Sequence, residues 1–171
     1  MKEHEGKVLI GIDPGIVSCG VSVLDENGIH VYNMEDVKNY EPNNDFRCIK
    51  FVNEIVELYG GINRVRCYCE IYLPYIQTKR KLQVKQVDVC YNLIGLLGFT
   101  GRQIAPYEWI KALSTSRKGH VGKPSLATIR AHVLDRFNYE LNSKGNYSRH
   151  VLDSLGILCV GVDLDRMEGL L

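Results

Sequence analysis

The sequence predicts an α/β fold built on a mixed five-stranded sheet, an antiparallel hairpin meander plus parallel strands, flanked by helices. Three observations predict it. Three short apolar runs open the chain, separated by turn-forming residues, which is the pattern of a meander. Helical and strand patterns then alternate, adding two more strands. With 171 residues, 45% hydrophobic and 24% charged, the chain has the size and composition to bury one core and reads as a single domain.

Val8 to Ile12 is apolar on both faces, as a central strand covered on both sides must be, and the run closes at Asp13. Pro14-Gly15 predicts a tight reversal, because proline presets φ and glycine accepts positive φ. Cys19 to Leu24 returns as the second strand, and Ile29 to Tyr32 follows the Asn27-Gly28 turn as the third. Asn43-Asn44-Asp45 offers an N-cap to a helix whose apolar face is Phe46, Ile49, Val52, Ile55, Val56 and Tyr59, stopping at Gly60-Gly61. Arg64 to Ile71 is the fourth strand; it carries Glu70 among apolar neighbours and is broken by Pro74. Leu82 to Leu97 reads as a helix apolar nearly all round, either deeply buried or shared with a second subunit. Gln103-Ile104-Ala105 is a fifth strand ended by Pro106, Glu108 to Leu113 a short helix, and Ser114 to Gly122 a loop. Pro124 opens a helix over Ser125 to Phe137, with Leu126, Ile129, Val133, Leu134 and Phe137 on one side. The last helix runs from Ser148 to Val160, and its spacing puts His150 and Asp153 on one face with Gly156, Ile157 and Val160.

No apolar run approaches the ~20 residues that span a bilayer, and Met1-Lys2-Glu3-His4-Glu5 lacks the form of a signal peptide. The expected location is the cytoplasm or nucleus, or a host cytoplasm or organelle, and not outside the cell, with no membrane partner. The cysteines at 19, 48, 67, 69, 90 and 159 lie mostly inside apolar runs, where thiols act as small hydrophobes rather than as a zinc site. A net charge of +1 points to no partner, but its distribution does: Lys79, Arg80, Lys81 and Lys85 cluster, as do Lys111, Arg117, Lys118 and Lys123. Such patches suit a polyanion, or are solvated surface.

Three acids break the apolar pattern. Asp13 alone would serve as a turn initiator. Glu70 in its strand and Asp153 in its helix are harder to place, because a buried carboxylate without a partner is costly. Their convergence on hard divalent cations is one explanation for all three. His150 adds a nitrogen ligand or a proton-transfer group beside them.

Asp13-Pro14-Gly15 after VLIGI, Glu70 at the end of the fourth strand and His150-Val151-Leu152-Asp153 near the end, in this order and at this length, resemble the RuvC-type Holliday junction resolvases of the RNase H-like superfamily. The resemblance covers most of the chain. It implies the RNase H-like fold and a metal-dependent endonuclease that resolves four-way DNA junctions by paired symmetric nicks. It also implies two Mg²⁺ ions, for which Mn²⁺ can substitute, held by Asp13, Glu70, His150 and Asp153, with no small-molecule cofactor. Lys111 and Lys123 resemble family lysines near the cleaved phosphate. Products would carry 5′-phosphate and 3′-hydroxyl ends. Paired cuts imply a homodimer, for which Leu82 to Leu97 is the candidate interface.

The implied DNA-binding residues are Tyr72, Tyr75, Lys79, Arg80, Lys81, Lys85, Arg117 and Lys118. Where bacterial members often place a wedging aromatic three residues after the Glu, this chain has Leu73 between Tyr72 and Tyr75. That departure and the near-neutral charge suit a divergent phage, viral or organellar branch. Other readings compete: a nuclease of the same fold acting on forks, flaps or RNA-DNA hybrids, a binder without turnover, and an actin-like phosphate loop from Asp13, Gly15 and Gly20, for which the chain lacks a second lobe.

Overall fold

The computed structural model describes residues 7–36, 47–71, 81–98, 101–114, 122–142 and 145–171, with backbone alone for 81–86. Five strands form one sheet: β1 (Val8–Asp13), β2 (Gly20–Asp25), β3 (Gly28–Asn33), β4 (Val65–Glu70) and β5 (Gly101–Ile104), in the order β3-β2-β1-β4-β5. The β1-β2 and β2-β3 pairs are antiparallel, and β4 and β5 add on the other side of β1 in parallel. This is the expected mixed sheet with its meander, and β1 is its centre, which accounts for apolar residues on both of its faces.

The helices are α1 (Arg47–Leu58), α2 (Lys81–Leu97), α3 (Pro106–Leu113), α4 (Leu126–Phe137) and α5 (Arg149–Met167). On one side of the sheet Ile10, Ile12, Val21, Val23, Cys67 and Cys69 pack with α1 and with Val89, Leu93 and Leu97 of α2. On the other, Leu9 and Tyr68 pack against α5, with Trp109 and Leu113 of α3 and Ile129 and Val133 of α4 outside it. Period-two alternation therefore places Gly11, Asp13, Arg66 and Glu70 on the α5 side.

α5 is the spine of that layer. It extends to Met167, one and a half to two turns past the expected Val160, because Asp163, Asp165 and Arg166 find partners or solvent and no Gly or Pro intervenes. Residues 151–162 are all buried, so the two apolar flanks read from the sequence are one continuous buried surface. Small residues let it lie close. A Cβ on Gly20 would meet the His150 carbonyl oxygen at 2.1 Å, and one on Gly11 the Ser154 carbonyl oxygen at 2.3 Å. These contacts fix the height and rotation of α5 over β1 and β2.

Several details differ from expectation. The β1-β2 reversal is not made by Pro14-Gly15 alone: Asp13 pairs with Gly20, so residues 14–19 form the connection. Leu134 is 50% exposed, since α4 turns Ile129 and Val133 inward instead. On α1 Cys48 and Phe51 are buried together with the expected Val52, Ile55 and Val56, while Ile49 and Tyr59 are half-buried at the margin of the same core, so the apolar face is turned only slightly from the expected one. α2 is not covered all round: Val89, Cys90, Leu93 and Leu97 are buried, but Tyr91 is 55% exposed. The cap at Asn43-Asn44-Asp45 lies outside the described residues. All six cysteines are buried, and among the described residues no helix is long and apolar enough to cross a membrane.

Candidate active site

Asp13 and Glu70 end adjacent parallel strands. Ile12 is level with Cys69 in the β1-β4 register, so the two acids stand side by side at the carboxyl edge of the sheet, where open α/β sheets place their ligands. The first turns of α5 cross above them and bring His150 and Asp153. Asp13 is 6% and Asp153 2% exposed. The four residues expected to share a site, Asp13, Glu70, His150 and Asp153, are thus brought to one place from three elements.

Each has a defined partner. His150 Nδ1 donates to Asp13 Oδ2 at 2.7 Å, and its Nε2 lies 2.5 Å from Ser18 Oγ. Trp109 Nε1 donates to Glu70 Oε1 at 2.9 Å. Lys123 Nζ donates to Asp153 Oδ2, and Arg149 Nη2 faces Asp153 Oδ1 at 2.8 Å as an ion pair without hydrogen-bond alignment. Lys123 also sits over the Trp109 ring, 5.9 Å from its centre, which joins the two halves of the site.

Local sequence explains these placements. Pro106 at the start of α3 and Glu108 Oε2, which accepts from Ala105 N–H at 2.7 Å, fix the helix that carries Trp109. Gly156 leaves room for that ring: a Cβ there would stand 2.9 Å from it. Ser125 caps α4 by accepting from Thr128 N–H, and Arg149 Nη1 donates to the Pro124 carbonyl at 2.9 Å, so Lys123 is tethered beside α5.

The electrostatics are those of crowded negative charge. The Glu70 carboxyl is pushed up to about 8, first by burial and then by the adjacent Asp13, while the Trp109 hydrogen bond and Lys123 oppose the shift. Burial also pushes Asp153 up, and its bond to Lys123 pulls it back. His150 is held above the usual histidine range by its bond to Asp13, against the effect of burial.

Lys111 lies exposed on α3 and has no described contact with the four. Tyr72, Tyr75, Lys79, Arg80, Arg117 and Lys118 lie outside the described residues; Lys81 and Lys85 fall on α2 where only backbone is described. Sequence reasoning missed Ser18, Trp109 and Arg149. Trp109 carried a signal: it is the chain's only tryptophan, and a buried indole N–H needs an acceptor. Arg149 is four residues before Asp153 on the same helix, the spacing of an ion pair.

No family model matches the sequence, and no curated protein does. Among solved structures, one of Thermus thermophilus RuvC in complex with a Holliday junction substrate matches with a TM-score of 0.61 over 94% of this chain and 96% of that one, at 19% identity. The chain has the RuvC fold. A second Thermus thermophilus RuvC structure agrees, with a TM-score of 0.59 at 18% identity and the same coverage. The RuvC fold, an RNase H-like arrangement of mixed sheet and flanking helices, is therefore matched nearly end to end.

The donor set of three carboxylates and an imidazole suits hard cations such as Mg²⁺ or Mn²⁺. Among the described residues no three His, Cys, Asp or Glu side chains stand ready-grouped around a metal position. Asp153 is turned to its two cations and His150 to Asp13. Chemically the residues fit: three carboxylates face two cationic side chains, Lys123 and Arg149, and the repulsion of Asp13 adds to burial in raising Glu70.

Proposed function

We propose that this protein is a divalent-metal-dependent endonuclease that resolves four-way DNA junctions by paired nicks, leaving 5′-phosphate and 3′-hydroxyl ends. One observation carries the reading: Asp13, Glu70, Asp153 and His150 gather at the carboxyl edge of the sheet in a fold matched over 94% of the chain to a protein solved with a Holliday junction.

Asp13, Glu70, Asp153 and His150 are the residues that would hold Mg²⁺ or Mn²⁺. Bound there, the cations would supply a Lewis acid and a water acidic enough to attack phosphorus. The protein's own groups do the rest. Trp109 orients the Glu70 carboxylate through Nε1. Lys123 bridges Asp153 and the Trp109 ring, placing one positive charge where a scissile phosphate gathers negative charge. His150 holds a proton at Nδ1 against Asp13, so that carboxylate's free oxygen is turned to the site. The basic residues at 79–81, 85, 117 and 118 would bind phosphates along the arms. A homodimer through α2, whose Tyr91 and Leu96 are exposed, would supply two sites for two cuts.

The test offers the purified protein a synthetic four-way junction, a fork, a plain duplex and an RNA-DNA hybrid, with Mg²⁺ and with chelator. Symmetric nicking of the junction in Mg²⁺ alone is expected. Preferential cutting of the hybrid would reassign the substrate, and binding without cutting under any divalent cation would make the protein a non-catalytic binder. Sedimentation at micromolar concentration tests the dimer separately.

A further inference from the structure

Ser18 takes no part in the proposed reaction, yet it is among the most firmly placed residues of the site. Its Oγ stands 2.5 Å from His150 Nε2, on the far side of the ring from Asp13. The segment that carries it is pinned on both sides. Arg47 Nη2 donates to the Val17 carbonyl at 3.2 Å, and Met34 N–H donates to the Cys19 carbonyl at 2.9 Å. Gly15 folds back so closely that a Cβ there would lie 2.1 Å from the Ser18 carbonyl oxygen. Three contacts from three parts of the chain therefore fix a hydroxyl that would otherwise sit on a solvent-facing loop.

Asp13 as a carboxylate only accepts, so Nδ1 carries a proton; in the protonated ring that the bond to Asp13 favours, Nε2 donates to Ser18 Oγ, and in the neutral ring Nε2 accepts from it. For Nδ1 to offer a lone pair towards the acids instead, the ring proton has to sit on Nε2. Ser18 Oγ then accepts the bond it previously donated. A hydroxyl serves both forms; a backbone carbonyl or a carboxylate in its place would serve one. Metal-binding histidines are held in this way, by a partner on the nitrogen that does not bind.

We propose that Ser18 is a positioning residue for His150, setting the ring's orientation and which nitrogen bears the proton. The proposal rests on the reading of His150 as a group of the site, and deepens it by adding a residue outside the acids.

The experiment compares the full-length protein with its Ser18→Ala, Ser18→Thr and Ser18→Cys variants by two readouts that need no turnover. The first is the pair of His150 ring-nitrogen signals in NMR of the metal-free protein, recorded at a pH alkaline enough for the ring to be neutral. The second is Mn²⁺ affinity, followed by fluorescence of Trp109, the single tryptophan, which is bonded to Glu70. Expected results are one dominant Nδ1–H form in the wild type and in Ser18→Thr, a mixture of forms in Ser18→Ala, and Mn²⁺ binding weakened about 10- to 100-fold by the loss of the hydroxyl. If Ser18→Ala unfolds, Ser18→Cys, which keeps the size with a much weaker hydrogen bond, carries the comparison.

Unchanged ring signals and affinity in the variants lacking the hydroxyl overturn the proposal, as does a Thr variant that behaves like Ala. A wild-type protein that cuts no nucleic acid yet shows the ring and Mn²⁺ effects overturns the nuclease reading and leaves the role of Ser18 standing.

Discussion

α5 carries two buried acids, Asp153 near its start and Asp165 near its end, ~18 Å apart along the helix at its regular rise. Both lie under the same sheet, and their surroundings are opposite. Asp165, wholly buried, accepts from Arg66 Nη2 at 2.8 Å, from Arg66 Nε, from Tyr68 OH at 2.6 Å and from Arg102 Nε at 3.1 Å. Burial works against its charge, but the bonds from Arg66 and Tyr68 outweigh it and hold the carboxyl below the ordinary range. At the other end the first cause is also burial, but there Glu70 and Asp153 stay raised. An acid whose lone pairs are filled by cations and a phenol can only hold the fold together. Acids packed against one another, with charge to spare, have capacity for something not built into the chain.

Substitution should separate the two ends. Asp13→Asn should abolish junction cleavage while leaving junction binding in place, since the proposed phosphate contacts lie in the basic patches; Asp165→Asn should cut at a rate within a few-fold of wild type. Gel assays of both activities decide this, and normal nicking by Asp13→Asn would remove the site assignment.

Stability should move the other way. Asp165→Asn leaves Arg66 and Arg102 facing a neutral group and should cost about 3 to 5 kcal/mol in urea unfolding. Glu70→Gln should stabilise the metal-free protein. Glu70 binds its proton more tightly folded than unfolded, so folding takes up a proton between pH 4.5 and about 8 and stability falls as pH rises through that window. The amide removes that loss and keeps an oxygen for Trp109, so in chelator near pH 8 it should gain on the order of 3 kcal/mol. Asp165 has the opposite slope: its contribution is present above the ordinary carboxylate range and is lost on acidification.

The smallest effect expected is that of Trp109→Phe. Removing the indole N–H takes away a bond that favours ionised Glu70 and should raise that carboxyl by up to about one unit, from the ~1.5 kcal/mol of a charged hydrogen bond. The acid limb of the pH-rate profile should shift alkaline by that amount. An unmoved limb would mean that Trp109 packs without tuning.

Much of the site was legible in the sequence, for a simple reason. Asp13, Glu70 and Asp153 interrupt apolar runs, and a charge in an apolar run is visible in one dimension. Ser18 and Trp109 break no pattern, a small polar residue in a loop and an aromatic in a helix, and only their partners give them a role. Asp165 belongs to ordinary helix composition until the strands beside it are known, and Arg149 is marked only by its spacing from Asp153.

The sequence by itself determined the mixed sheet, the order of its helices and the three acids, because hydrophobic period and turn residues act locally. Tertiary structure decided which acids would be neutralised and which left crowded. That choice depends on what β1, β4 and α5 bring within hydrogen-bond reach of each other, over separations of more than a hundred residues, such as the one between Ser18 and His150.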